Sequence, residues 1–160
     1  MANGSGPGAY RIFNTATELE KAYPQLKGWA PELSMSIELT NFDIASCELK
    51  PEHKDGIYRG SLGTSDREYK VAWSFGFHSH TGGQAFNSQL AEARADSAIR
   101  FAYSMRGPDT VVGEWKHTSV SWRPGFPDGE SAEMRKVLIV YFKGLPIRPP
   151  IAMGPTKNKR

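Results

Sequence analysis

The chain is poor in what chemistry needs. It has one cysteine, Cys47, among 160 residues, so no intrachain disulfide can form, and a reducing compartment is the natural expectation. No serine stands in a nucleophile elbow and no glycine-rich loop has phosphate-binding spacing. No apolar run approaches membrane-spanning length. The first eight residues are Gly-rich and polar, without the apolar core of a signal peptide. The charge excess is small, +3 in all, and part of it sits in the last four residues, Lys157 to Arg160. That is thin for a dedicated nucleic-acid binder.

Hydrophobic residues make up 39% and aromatics 11% of the chain, enough for one folded domain with a core. Candidate chemistry is sparse. His78 and His80 share a face on a strand, yet no cysteine or carboxylate stands at a supporting spacing for a metal. His53 and His117 are isolated, and nothing local activates Cys47. Gly82 and Gly83 precede a helix, which reads as ordinary capping. Trp29, Trp73, Trp115 and Trp122 are dispersed, with only Lys116, His117 and Arg123 near the last two. These patterns predict no enzyme, no cofactor and no metal, and a protein that works through its surfaces.

Residues 1–13 read as a flexible arm. Thr15 and Glu18 have capping-box spacing, predicting a short helix over 15–23 that Pro24 ends. Residues 34–46 are strand-like. Met35, Ile37 and Leu39 alternate with Ser36, Glu38 and Thr40, and then Phe42 and Ile44 take over the apolar phase. That shift predicts a bulge or sharp bend near Thr40 and Asn41. Residues 49–66 carry Lys50, Glu52, His53, Lys54, Asp55 and Arg59 with Pro51 and three glycines. They read as a long loop given to interaction or motion.

Residues 69–77 alternate around Tyr69, Val71, Trp73, Phe75 and Phe77. A helix is predicted over 84–94, with Phe86, Leu90 and Ala93 as its packing face. Strands are predicted over 99–105, 111–122 and 135–143, with Val137 to Phe142 apolar on both sides and therefore doubly covered. Residues 147–160 are Pro-rich and basic, an extended arm. The fold expected is mainly β, an antiparallel β-sandwich over 14–146 with one packed α-helix and a short N-terminal helix.

Three segments in order carry a resemblance: Met35-Ser-Ile-Glu-Leu-Thr-Asn-Phe-Asp-Ile-Ala-Ser46; then Trp73-Ser-Phe-Gly-Phe77 with the following helix and Ala98-Ile-Arg-Phe-Ala102; then Val112-Gly-Glu-Trp-Lys-His-Thr-Ser-Val-Ser-Trp122 and Lys136-Val-Leu-Ile-Val-Tyr-Phe-Lys-Gly144. Over residues 35–146 the chain resembles the major tail, or tail-tube, proteins of tailed bacteriophages. The resemblance implies a structural subunit of the virion tail, made in the host cytoplasm. It would form hexameric rings stacked around a lumen, with other tail proteins as partners. DNA would pass without being gripped, and no membrane would be involved. Lys50, Glu52, His53, Lys54, Asp55 and Arg59 would then make contacts between subunits or rings. Tyr10, Arg11 and Arg148 would be arm contacts, and Ser36, Glu38, Lys70 and Ser74 would face the lumen. A pore-forming or lipid-binding β-sandwich is the alternative, and an RNA-binding module stands behind it.

Overall fold

The computed structural model describes residues 9–24, 33–63, 71–78, 84–106, 115–121 and 135–142. In chain order these form β1 (Tyr10–Phe13), α1 (Ala16–Ala22), β2 (Leu33–Leu39), α2 (Pro51–Gly63), β3 (Val71–His78), α3 (Gln84–Arg106), β4 (Trp115–Ser121) and β5 (Val137–Phe142). The strands make one five-stranded sheet in the order β1-β2-β5-β3-β4. The first four are antiparallel neighbours. β4 joins β3 in parallel, and α3 supplies the crossover that a parallel pair needs. The architecture is thus α/β, a single sheet with helices. The expected sandwich is corrected, because what covers the second apolar face of the strands is helix rather than a second sheet.

β5 lies at the centre, and all six of its residues are buried. This agrees with the double cover expected from its unbroken apolar run. Ile139 and Tyr141 join Ile37, Tyr10 and Ala72 in the core under α2 and α3. Leu138, Val140 and Phe142 join Phe13, Trp73, Phe75 and Phe77 under Leu19 and Tyr23 on the α1 side. The capping of α1 follows the sequence: Glu18 N–H donates to Thr15 Oγ1 at 3.1 Å, and Glu18 Oε1 accepts from Asn14 N–H at 2.8 Å.

Three expectations are overturned here. Residues 10–13 are a sheet strand rather than part of an arm. Residues 51–63, expected in a loop, are a helix. Two of its glycines lie where it touches the sheet: a Cβ on Gly56 would stand 2.5 Å from Tyr10 Cγ, and one on Gly60 would stand 2.2 Å from Ile37 Cδ1. Finally, the strand expected over 99–105 continues α3. The face of α3 that packs is Ala91, Ala95, Ala98 and Ala102, all fully buried, while Phe86 is 58% exposed.

That alanine face lets α3 lie close on β3, whose facing residues are the small Ala72, Ser74 and Gly76. A Cβ on Gly76 would stand 1.9 Å from the carbonyl oxygen of Ala91, nearer than any real contact. On the opposite face Ser36 is fully buried and Glu38 is 8% exposed. Ser74, under α3, is also fully buried. These three positions, expected to face a lumen, face core instead; Lys70 lies outside the described residues.

Glu38 is held in a polar cluster. It accepts from the Tyr23 hydroxyl and pairs with Lys136 at 3.5 Å and Arg11 at 3.8 Å. Burial, and then the Glu38 charge, push the Tyr23 phenol well above its ordinary pKa of 10.0, so it remains a donor at neutral pH. The Lys136 ammonium also lies 5.0 Å from the Tyr23 ring centroid and 5.6 Å from that of Phe77, inside cation–π range.

This packing generates three stability predictions. Gly76→Ala is expected to cost about 3 kcal/mol, because a backbone carbonyl cannot move aside. Gly60→Ala should cost less, about 1.5 kcal/mol, because the added Cβ meets the buried Ile37 side chain, Cδ1 at 2.2 Å and Cγ1 at 2.7 Å, rather than backbone, and alanine favours helix. Equal costs for the two would contradict the close α3 contact. Tyr23→Phe should cost about 1.5 kcal/mol, the low end for a hydrogen bond to a charged group, because Lys136 and Arg11 still compensate Glu38. Urea unfolding measures all three.

Candidate functional site

The most elaborately held irregular segment among the described residues is 40–50, between β2 and α2. β2 ends at Leu39, and the backbone turns at Asn41, whose φ is 64°. This is the bend expected near Thr40 and Asn41, and asparagine tolerates that left-handed conformation better than most residues. Phe42 then turns inward and is fully buried. Its N–H donates to the Arg135 carbonyl at 3.4 Å, and its own carbonyl accepts from Arg135 Nε at 2.7 Å. Those two bonds clamp the segment to the chain entering β5.

Residues 43–46 form a tight turn closed by Ser46 N–H donating to the Asp43 carbonyl at 3.2 Å. Ala45, its third residue, has φ 58°. That position in a type II turn usually carries glycine, and an alanine there costs about 1 kcal/mol. What holds it is Arg94, from α3. Arg94 Nε donates to the Ser46 carbonyl at 2.7 Å and a terminal nitrogen donates to the Asp43 carbonyl at 3.0 Å, so the guanidinium grips both ends of the turn. Arg94 is 3% exposed, and its guanidinium carbon lies 5.5 Å from the Phe42 ring centroid. The outer surface of the turn carries Ile44, 70% exposed, and the Asp43 carboxylate, 3.0 Å from Lys50 Nζ.

His53 holds the other end of the segment. Lys50 caps α2 and Pro51 is its first residue, the favoured place for proline. His53 Nδ1 accepts from the Lys50 N–H at 3.0 Å. This is the return contact of a capping box, with histidine where Glu or Gln is usual. Nε2 lies 2.6 Å from the Thr40 carbonyl. An acceptor at Nδ1 fixes the proton on Nε2, which donates to Thr40. The ring stacks on Phe42 at 4.2 Å. Burial pushes His53 below its ordinary pKa of 6.5. Lys50 adds to that, while the Thr40 carbonyl, Glu52 and Asp43 oppose it.

Beside the segment an open groove of about 490 Å³ is lined by Glu48, Leu49, Lys54, Ser97, Arg100 and Phe101. Lys54 sits 5.7 Å from the Phe101 ring centroid, and Arg100 pairs with Asp96 at 2.7 Å. No cluster of three or more metal-ligating side chains occurs among the described residues, and none of the described helices is long and apolar enough to cross a membrane.

Several of the residues expected to reach between subunits make contacts within this chain. Tyr10 Oη donates to Asp55 at 3.2 Å, and Arg59 Nε donates to the same carboxylate oxygen at 3.0 Å. Arg11 meets Glu38, Lys50 meets Asp43, and His53 is fully buried. Glu52 and Lys54 are exposed on α2. Arg148 lies outside the described residues. Arg94 drew no attention in the sequence because its partners are main-chain carbonyls some 50 residues away, which side-chain patterns do not reveal.

No family model matches the chain, and no curated protein matches it by sequence. Solved structures do match by shape. The OmpA-like domain of FopA1 from Francisella tularensis superposes with a TM-score of 0.53 at 12% identity, over 88% of this chain and 86% of that one. The peptidoglycan-associated lipoprotein from Burkholderia pseudomallei gives 0.52 at 17%, over 66% and 88%. The cell wall anchor of the type VI secretion system (T6SS) from Pseudomonas aeruginosa gives 0.54 at 13%, over 81% and 97%. These neighbours overturn the tail-tube reading. With it go the hexameric stacked rings, the tail-protein partners, the passage of DNA and the virion location. Neither the pore-forming nor the RNA-binding alternative matches them. What the likeness establishes is the fold: this chain has the architecture of OmpA-like domains.

Proposed function

We propose that the chain is a cell-wall-binding module of the bacterial envelope, acting by adhesion rather than catalysis, with peptidoglycan as its partner. The observation that carries this reading is the shared architecture with proteins described as a peptidoglycan-associated lipoprotein and a cell wall anchor. The 40–50 segment supplies a surface suited to the task. Peptidoglycan stem peptides carry amines and carboxylates, and the Asp43–Lys50 pair presents one charge of each sign side by side. Ile44 adds an exposed apolar contact at the tip of the turn. Arg94 acts from below as a positioning residue, holding the turn in shape so that little ordering entropy is lost on binding.

Co-sedimentation with purified, insoluble sacculi tests this. The wild-type chain is expected in the pellet. Asp43→Ala with Ile44→Ser should weaken binding about tenfold, or about 1.4 kcal/mol. The melting temperature should stay nearly unchanged, because an exposed ion pair contributes under about 1 kcal/mol. Arg94→Ala should lower both binding and stability, because the Asp43 and Ser46 carbonyls lose charge-assisted partners. A wild-type chain that stays in the supernatant would overturn the proposal.

A further inference from the structure

His53 invites a functional explanation. A glutamine would serve the same capping role without titrating, yet the buried position carries a group that changes charge near neutral pH. We infer that His53, beside Arg94, is a second positioning residue of the 40–50 segment, and that protonating its ring releases that segment from the body of the domain. The inference goes beyond the cell-wall reading for the release itself and rests on it for the consequence, which is a grip on the wall that loosens in mild acid.

The argument is geometric. Nδ1 can accept the Lys50 N–H only while it carries no proton. Adding one sets two N–H groups against each other at 3.0 Å and places a cation in a fully buried position. The charged groups around the ring do not rescue it as a set. Lys50, at the α2 cap, opposes the added charge. Glu52 beside it and Asp43 across the turn favour it, but Asp43 is already paired with Lys50. From α3 the Arg94 guanidinium reaches the Phe42 ring on which His53 stacks, and Arg135 binds the Phe42 carbonyl from the β5 side. One further cation thus bears on the same aromatic ring and a second on its main chain. Opening the segment lets the imidazolium reach water and frees the Lys50 amide.

The sign follows from linkage. The ring binds its proton less readily in the closed segment than in the open one, where the ordinary value of 6.5 applies. Closure is therefore fully supported above about pH 6.5 and weakens as pH falls from there towards the lower closed-state value. Below that lower value no further loss occurs.

Hydrogen exchange of amides 40–50 in the intact chain, corrected for intrinsic chemical rates, measures the opening between pH 7.5 and 5. Protection is expected to fall by up to about tenfold per pH unit below pH 6.5 for one linked proton. His53→Gln retains an acceptor for the Lys50 N–H and should show a flat profile. A wild-type profile that is flat, or a His53→Gln profile that falls in parallel with it, would overturn the switch. Nitrogen-15 shifts of the His53 ring in the wild-type chain give a second arm that does not depend on the variant folding. The Nε2–H tautomer at pH 7.5 is expected, and an Nδ1–H tautomer would refute the geometry. Sacculus binding at pH 7.5 and 5.5 completes the test, with wild type releasing in acid and His53→Gln holding. Binding at neither pH would overturn the wall-release consequence and the cell-wall reading beneath it, while the exchange profile decides the switch by itself.

Discussion

The close seating of α3 on β3 is the constraint from which the geometry of the 40–50 segment follows. Only because Gly76 lacks a side chain can the Ala91 carbonyl come so near the strand, and only because α3 is lined with alanines can its whole length follow. Arg94 lies one turn beyond Ala91 and is carried by that contact to the 43–46 turn. A helix standing even one methyl group farther off would leave the guanidinium short of the Asp43 and Ser46 carbonyls. The strained Ala45 turn would then have to support itself. Packing in the interior and geometry at the surface are thus one problem here, solved by small residues rather than large ones.

This explains why the sequence was legible in β2, β3, β5 and α1 and opaque in α2 and α3. β2, β3 and β5 announce themselves through alternation or unbroken apolar runs, and Thr15 with Glu18 marks the start of α1. By contrast, α3 buries alanines and exposes Phe86 and Tyr103. A reading weighted towards large apolar side chains therefore chose the wrong face and cut the helix short. In the same way, Gly56 and Gly60 in α2 resemble loop residues until Tyr10 and Ile37 are seen to occupy the space beside them. The one-sided alternation of Ile99, Phe101, Tyr103 and Met105 mimics a strand, though the helical repeat of Ala91, Ala95, Ala98 and Ala102 runs through the same residues. The site was harder still. The partners of Arg94 and His53 are carbonyls and an amide, groups every residue possesses, so no pattern of residue types could point to them.

Buried charge is handled in two ways in the domain. Under α1 the charges of Lys136 and Glu38 meet directly, with Tyr23 and Arg11 completing the set. Such a cluster fixes how the helix end sits on the sheet, and losing the Glu38 carboxylate would leave Lys136 buried without its counter-charge. Under the 40–50 segment Arg94 is held through main-chain oxygens and an aromatic face. A carboxylate partner would fix a side chain; carbonyl partners fix the path of the backbone. The second arrangement is the one that shapes a loop, and it is found where the loop carries the exposed groups assigned to adhesion.

Phe42 joins these devices. Its ring stacks on His53, its face receives Arg94, and its main chain is tied to Arg135 at both its N–H and its carbonyl. Three elements, α2, α3 and the approach to β5, therefore converge on one residue in the segment between β2 and α2. Because α2 and α3 share its ring, they do not act independently: displacing Phe42 weakens the Arg94 grip and the His53 stack together. A local event at either one, such as a proton arriving at His53, is then expressed over the whole segment rather than absorbed by one residue. That coupling is why a change at one buried imidazole bears on the exposed face of the turn, where Ile44 and Asp43 stand.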